Sequence, residues 1–283
     1  MTINYHRQAL IDRVETSVTQ NHVMAGSIKT AYLSSGSGLP LILLHGGGAG
    51  AVTWYPSIGP FSKHFHVIAP DIVGYGESDK PNGSYDKVYF AKWLKSFLLA
   101  LDISKAHIVG LSQGGAIALQ FVLDNPDMVE KLVLVDSGGL GAKPPLAALL
   151  SMMWLNSFPS SLADRLFSRY ILLNPKKRDP NHGRYSIAVL NSRGGKNPFR
   201  QGRGSAVSEI PKASLNKIET KTLVIWGEND RLFPVDYGDR AASQIPNAEF
   251  LVIKNAGHLP LMDQTNTFNR SVLDFLNQQE FTC

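Results

Sequence analysis

Ser112 sits between glycines in Gly110-Leu111-Ser112-Gln113-Gly114, a match to G-x-S-x-G. The apolar run Ala106-His107-Ile108-Val109 precedes it and the helix-like run GAIALQF follows it. A strand that turns sharply into a helix at a serine lifts the hydroxyl above the sheet, at a helix N-terminus where the dipole favours developing negative charge. The glycines give so tight a turn the room it needs. Serine is a weak nucleophile at its own pKa and needs a base. His258 fits that role. It lies in Asn255-Ala256-Gly257-His258, directly after the apolar run EFLVI. His6, His22, His64, His66, His107 and His182 read as surface or satisfied core residues. The base in turn needs an acid to hold its tautomer. Asp230 closes Trp226-Gly227-Glu228-Asn229-Asp230 after the run TLVI and completes the chain order Ser, Asp, His. Glu228 and Asp136 are its rivals, the latter following KLVLV one strand earlier.

An attacked carbonyl becomes an oxyanion and needs two fixed N–H donors. Gln113, next to the nucleophile, supplies one. The second is expected from His45-Gly46-Gly47-Gly48, at Gly47, with His45 bracing the loop. The same glycines lack the spacing of a dinucleotide-binding loop and the Lys-Ser/Thr of a P-loop. A nucleotide is therefore not expected, and the reading includes no cofactor and no metal ion.

These residues must be positioned by the elements around them. LPLILLHGGG, HVIAPDIVGYG, AHIVGLSQGG, KLVLVDSGG, TLVIWGEND and EFLVIKNAGH are short, nearly continuous apolar runs ending in turn residues, as strands buried on both faces are. Helical stretches separate them, among them YDKVYFAKWLKSFLLALD with Tyr89, Trp93, Phe97 and Ala100 at helical spacing. The first 35 residues read as a short leader and a hairpin around Met24-Ala25-Gly26. This alternation predicts an α/β fold with a doubly wound, mainly parallel sheet of eight strands and helices on both faces. In such sheets the chemistry lies at the carboxyl ends of the strands. The rhythm breaks after strand six, where helical patches alternate with polar, Gly- and Arg-rich connectors. Residues 141–213 thus read as a helical lid inserted between two core segments, 1–140 and 214–283. Its apolar residues Leu146, Leu149, Leu150, Met152, Met153, Trp154 and Phe158 pack on the core or form a greasy subsite.

The motifs LLHGGGAGAVTWY, VIAPDIVGYGESD, AHIVGLSQGGAIAL, LVLVDSGGLG, WGENDRLFP and NAGHLPLMDQ resemble those of the α/β-hydrolases. Among these, the chain resembles the meta-cleavage-product hydrolases, which cut a carbon–carbon bond in vinylogous diketones from aromatic ring fission. The resemblance runs from about Leu39 to the end and implies the α/β-hydrolase fold. It also implies that Arg184, in Gly183-Arg184-Tyr185, contacts the polar dienoate end of the substrate. Gly46, Gly48, Leu111, Leu259 and Trp154 are further candidate pocket residues. Two positions depart from the family pattern. Leu111 stands where asparagine is frequent, and Leu259 where tryptophan is frequent. Both remove polar or aromatic lining. The expected activity is that of a serine hydrolase on a small, partly apolar carbonyl substrate, with C–C and ester cleavage both open. A hydrolase-like small-molecule receptor is the non-enzymatic alternative.

Composition narrows the rest. The 283 residues are 43% hydrophobic and 18% charged, enough for a large core. The net charge of +5 is uneven. Residues 140–221 carry 14 Lys and Arg against 4 Asp and Glu, and the remainder 14 against 19. These cations are scattered between apolar patches, which argues against nucleic acid or a membrane surface as partner and favours drawing an anionic small molecule with an apolar tail. No window reaches the length of a membrane span, and the first residues lack the apolar core of a signal peptide. The one cysteine, Cys283, excludes an internal disulfide and fits a cytoplasmic location. A homo-oligomer is compatible with all of this.

Overall fold

The computed structural model describes residues 3–278; Cys283 lies outside them. Eight strands form one sheet in the order β1-β2-β4-β3-β5-β6-β7-β8. They are β1 (Thr19–Ala25), β2 (Ile28–Ser35), β3 (Pro40–Leu44), β4 (His66–Pro70), β5 (Ala106–Leu111), β6 (Val129–Val135), β7 (Thr222–Gly227) and β8 (Ala248–Ile253). From β4 to β8 every pairing is parallel, while β2 runs antiparallel to both β1 and β4. The hairpin turns between Ala25 and Ile28, with Gly26 at φ +64°.

Among the described residues, twelve helices surround the sheet. They are α1 (Ile3–Ile11), α2 (Tyr55–Ser62), α3 (Lys87–Ala100), α4 (Gln113–Asp124), α5 (Leu146–Ser157), α6 (Ser161–Ile171), α7 (Pro180–Asn191), α8 (Asn197–Gly202), α9 (Lys212–Leu215), α10 (Asp236–Ala242), α11 (Pro260–Asp263) and α12 (Thr265–Asn277). The central strands β5 and β7 are buried along their whole length, because helices cover both faces. The buried stripe of α3 is Phe90, Trp93, Leu94 and Phe97; Tyr89 is half-buried and Ala100 exposed.

The strand order reverses between β3 and β5. The β4 connection leaves β3 on one side and β5 pairs on the other. Ligands bind in the crevice at such a switch point, outside the carboxyl ends of the strands. The His45 loop leaves β3 and the Ser112 turn leaves β5, so the fold puts them side by side. Helices α5 to α9 lie between β6 and β7 in the chain, where the insertion was expected.

The expected leader is a helix instead. Helix α1 buries Leu10 and Ile11 but also His6 and Arg7, which weakens its apolar periodicity. Arg7 pairs with Asp71 at 2.7 Å and donates to Tyr185 Oη of α7 at 3.2 Å. His6 bonds Asn181 and Arg13 pairs with Asp179. The segment from His6 to Arg13 is thus fastened to α7 and its N-cap Asp179.

Candidate active site

Ser112 adopts φ 53° and ψ −114°, between the end of β5 and the start of α4. A non-glycine residue with φ in this range is strained and needs support. Support comes from two backbone bonds: Ser112 N–H donates to Val135 O, and Gly138 N–H donates to Ser112 O, each at 2.9 Å. A Cβ at Gly110 would strike Gly114 O at 2.5 Å, and one at Gly114 would strike Leu44 O. Both glycines are required by close backbone approach, as the motif implied.

His258 lies on the loop after β8, 3% exposed, with Nδ1 2.7 Å from Asp230 Oδ2. The other carboxylate oxygen, Oδ1, accepts Leu232 N–H at 2.7 Å and Phe233 N–H at 2.9 Å. A carboxylate so held fixes the imidazole with its proton on Nδ1, leaving Nε2 as acceptor. Nε2 is buried and has no hydrogen-bond partner among the described residues. The Phe233 ring meets the imidazole edge-on at 5.2 Å. Glu228 is not the partner, since its carboxylate accepts Asn255 N–H on the exposed side. Asp136, the other rival, is fully buried and bonded to Gly227 N–H.

The loop after β3 carries the remaining groups. His45 is fully buried. Its Nε2 accepts Ile72 N–H at 3.0 Å, so Nδ1 holds the proton and donates to Gly46 O at 2.7 Å. Burial lowers its pKa from the ordinary histidine value, which favours this neutral brace. A Cβ at Gly46 would touch Ser112 Cβ at 3.4 Å, and one at Gly47 would meet Gln113 Oε1 at 2.7 Å. The loop thus runs against the serine turn. Gln113 opens α4, so its N–H has no partner within the helix. Tyr75 Oη donates to Gln113 Oε1 at 2.8 Å and holds that side chain aside. Burial pushes the Tyr75 phenol up, keeping it a donor.

Ser112, His258, Gly46, Gly47, Gly48 and Gln113 border one cavity of about 230 Å³, together with Leu111 and Leu259. Its far wall comes from the insertion: apolar side chains such as Met152, Leu155 and Phe167, and a polar group of Asp164, Arg178, His182 and Ser186. A larger open groove of about 600 Å³ between residues 78–82 and 193–197 holds no candidate residue.

Two expected pocket residues are not there. Arg184 is exposed and does not border the cavity. On α7, His182, Ser186 and Leu190 face inward at steps of four, and Arg184 falls on the opposite face. Trp154 is 43% exposed; α5 turns Met152 and Leu155 inward and Trp154 outward, with Leu146, Leu150, Met153 and Phe158 also exposed. The greasy face was assigned to the wrong side for those residues.

The cation that does reach the cavity is Arg178, from the connector before α7. Its Nε donates to His182 Nδ1 at 2.8 Å, and Nη1 pairs with Asp164 at 3.0 Å and bonds Ser168 Oγ at 2.7 Å. Burial first, and then the Arg178 charge, hold His182 well below the ordinary histidine pKa. It is neutral, and its Nε2 lies 3.2 Å from Thr53 Oγ1. By sequence alone His182 reads as structural, whereas the fold brings it to the cavity. No short motif marks this group, because its members come from α6, α7 and the connector between them.

The α/β-hydrolase fold family model matches residues 40–171 and 154–265. This chain belongs to the α/β-hydrolase family. It is a hydrolase of that fold, 34% identical to a 2-hydroxy-6-oxo-6-phenylhexa-2,4-dienoate hydrolase of Burkholderia cepacia over 92% of this chain and 95% of the relative. The meta-cleavage product hydrolase CumD of Pseudomonas fluorescens superposes with a TM-score of 0.81, 27% identity and coverage of 91% and 97%. Carboxylesterase CesB of Bacillus subtilis, 24% identical, shares the fold with a TM-score of 0.89 and 97% of each chain. The resemblance to meta-cleavage-product hydrolases is thereby upheld. Among the described residues no helix is long and apolar enough to cross a membrane.

Proposed function

We propose that Ser112, His258 and Asp230 act as nucleophile, base and acid, that Gly47 and Gln113 N–H groups hold the oxyanion, and that residues 141–213 form a lid over them. The observation that carries this reading is the strained turn at Ser112, which opens into the same cavity as His258, itself anchored at 2.7 Å to Asp230. The free Nε2 accepts the Ser112 hydroxyl proton as Oγ attacks a carbonyl carbon. The oxyanion then forms beside the first turn of α4, where the helix dipole adds to the N–H groups. His258 passes the proton to the leaving group, and water reverses the sequence to release the acid.

The substrate class we favour is a ring-fission product with a dienoate end and an apolar tail. Relatives named for such substrates support it, as does a cavity lined by both apolar side chains and a polar group. Arg178, not Arg184, stands where the anionic end would lie. Arg178 borders the cavity, and a guanidinium suits a carboxylate or enolate oxygen. In this reaction water is added across the C–C bond after ketonisation: the acyl carbon takes OH and the other carbon takes H. The second reading is a plain carboxylesterase, favoured by Leu111 and Leu259, which line the cavity without offering a side-chain donor. The cytoplasm is the location we propose.

One pair of assays tests the proposal. Wild type and Ser112→Ala are compared in bleaching of a yellow phenyl ring-fission product and in hydrolysis of p-nitrophenyl esters. Bleaching by wild type alone is expected. Ester turnover without bleaching leaves the esterase reading standing, and full activity in Ser112→Ala overturns both.

A further inference from the structure

Asp136 follows β6 and adopts φ +42°, an unusual state for a residue with a Cβ. Its backbone N–H donates to Ile225 O, and its Oδ1 accepts Gly227 N–H at 2.9 Å, both across to β7. The second oxygen, Oδ2, is buried and meets no donor among the described residues. Its nearest polar company is the proposed triad. Asp136, Asp230 and His258 present oxygen and nitrogen atoms that all lie within 4.8 Å of one another, and all three residues are buried.

Two carboxylates this close and this buried cannot both keep a charge. Asp230 has three donors: Leu232 N–H, Phe233 N–H and the His258 ring. Asp136 has one. The charge therefore belongs to Asp230 and the proton to Asp136. We propose that Asp136 is a positioning residue that donates a hydrogen bond from its own carboxyl to Asp230, so that the pair holds one proton and one charge. Among the described residues, the titratable groups facing it are Asp230 after β7, His258 after β8 and Asp263 of α11, with no lysine or arginine. Burial, then the Asp230 charge, push the Asp136 carboxyl well above the usual carboxylate range, in keeping with this arrangement.

The consequence falls on the base. A proton shared by Asp136 draws electron density from Asp230, and Asp230 then pulls less strongly on His258. Loss of the Asp136 donor is therefore felt at the base, through Asp230. Asp136 never touches the substrate; it acts through Asp230.

This inference rests on the triad reading, and its test separates the two. The pH dependence of kcat/KM for a p-nitrophenyl ester is measured for wild type, Asp136→Asn and Asp136→Ala. An amide donates less strongly than a carboxylic acid, and alanine donates nothing. The acidic limb is expected to move to higher pH in the order wild type, Asn, Ala, by on the order of one pH unit for Ala. A shift to lower pH means that Asp136 was charged, and no shift means a structural role alone; either result overturns the proposal. Asp136→Asn keeps the acceptor for Gly227, so the sign can be read even where Ala fails to fold. Infrared difference spectra of the resting protein, wild type minus Asp136→Asn, should contain a carboxylic-acid band at neutral pH, and a carboxylate band instead overturns the proposal. That measurement needs no turnover, so it stands even where Ser112→Ala disproves the triad.

Discussion

Nδ1 of His258 stands 2.7 Å from Oδ2 of Asp230, while Oδ1 of the same carboxylate is held by two backbone N–H groups. The carboxylate is thus fixed independently of the histidine, and the role proposed for it is to hold one tautomer. Asp230→Asn keeps the shape but presents an N–H or a carbonyl to Nδ1. Loss of about 10⁴-fold in kcat with little change in melting temperature is expected, because the fault lies in the tautomer rather than in packing. Steady-state kinetics beside a thermal melt would check this; a loss below tenfold would speak against the role.

Arg178 and Arg184 give opposite expectations. Arg178 reaches the cavity and Arg184 does not. Arg178→Ala should lower kcat/KM for a dienoate by about 10- to 100-fold more than for a neutral ester, the worth of a hydrogen bond to a charged group. Arg184→Ala should leave the ratio of the two substrates unchanged. Parallel kinetics on both substrates decide between the two arginines, and equal losses on both substrates in Arg178→Ala would refute its carboxylate role.

The contrast also shows what was legible in the sequence. Ser112, Asp230 and His258 could be read as candidates because each follows an apolar strand, and parallel strands bring their ends to one edge whatever lies between them. The insertion offers no such rule. Arg184 sits in a suggestive triplet, but its direction depends on the phase of α7, which starts at Pro180 and turns His182 and Ser186 inward. Helix α5 is apolar on both sides, so periodicity gives it no phase and Trp154 was assigned to the wrong face. Helix α1 hid behind His6 and Arg7, whose burial depends on partners 64 to 178 residues away.

Acid should weaken the fold through its buried histidines. Burial, aided by Lys131, lowers His107 to about 4, and His45 and His182 also lie below the ordinary value. Unfolded, these histidines take protons near pH 6.5. The stability each contributes is therefore present above that pH and is lost as pH falls through the folded values. Each such group adds a slope of up to about 1.4 kcal/mol per pH unit. His107 sits in β5, apart from the cavity, so His107→Gln should flatten the loss of melting temperature between pH 6.5 and 4. An unchanged slope in that variant would contradict the assignment.

The Arg7–Asp71 pair should matter more than its distance from Ser112 suggests. Both side chains are almost fully buried, and Asp71 also receives Ala51 N–H at 2.6 Å, just past the glycine loop after β3. Removing one partner of a buried pair leaves the other charge without compensation, at a cost of about 3–5 kcal/mol. Arg7→Met should lower stability by about that much in urea titrations, and Asp71→Asn less, since the amide keeps part of the network.

Gly47 and Gly48 separate contact from strain. At Gly47 a Cβ would press on Gln113 Oε1, 2.7 Å away, and displace the side chain that Tyr75 holds. At Gly48 a Cβ meets nothing within 4 Å, but φ is +73°. Gly48→Ala should therefore cost stability through backbone strain, on the order of 1 kcal/mol, and little else. Gly47→Ala should lower kcat by about 10²- to 10³-fold, the worth of one oxyanion donor moved out of line, with a smaller effect on KM. If Gly47→Ala raised KM and spared kcat, the loop would be holding the ground-state substrate, and the oxyanion role assigned to Gly47 would fall.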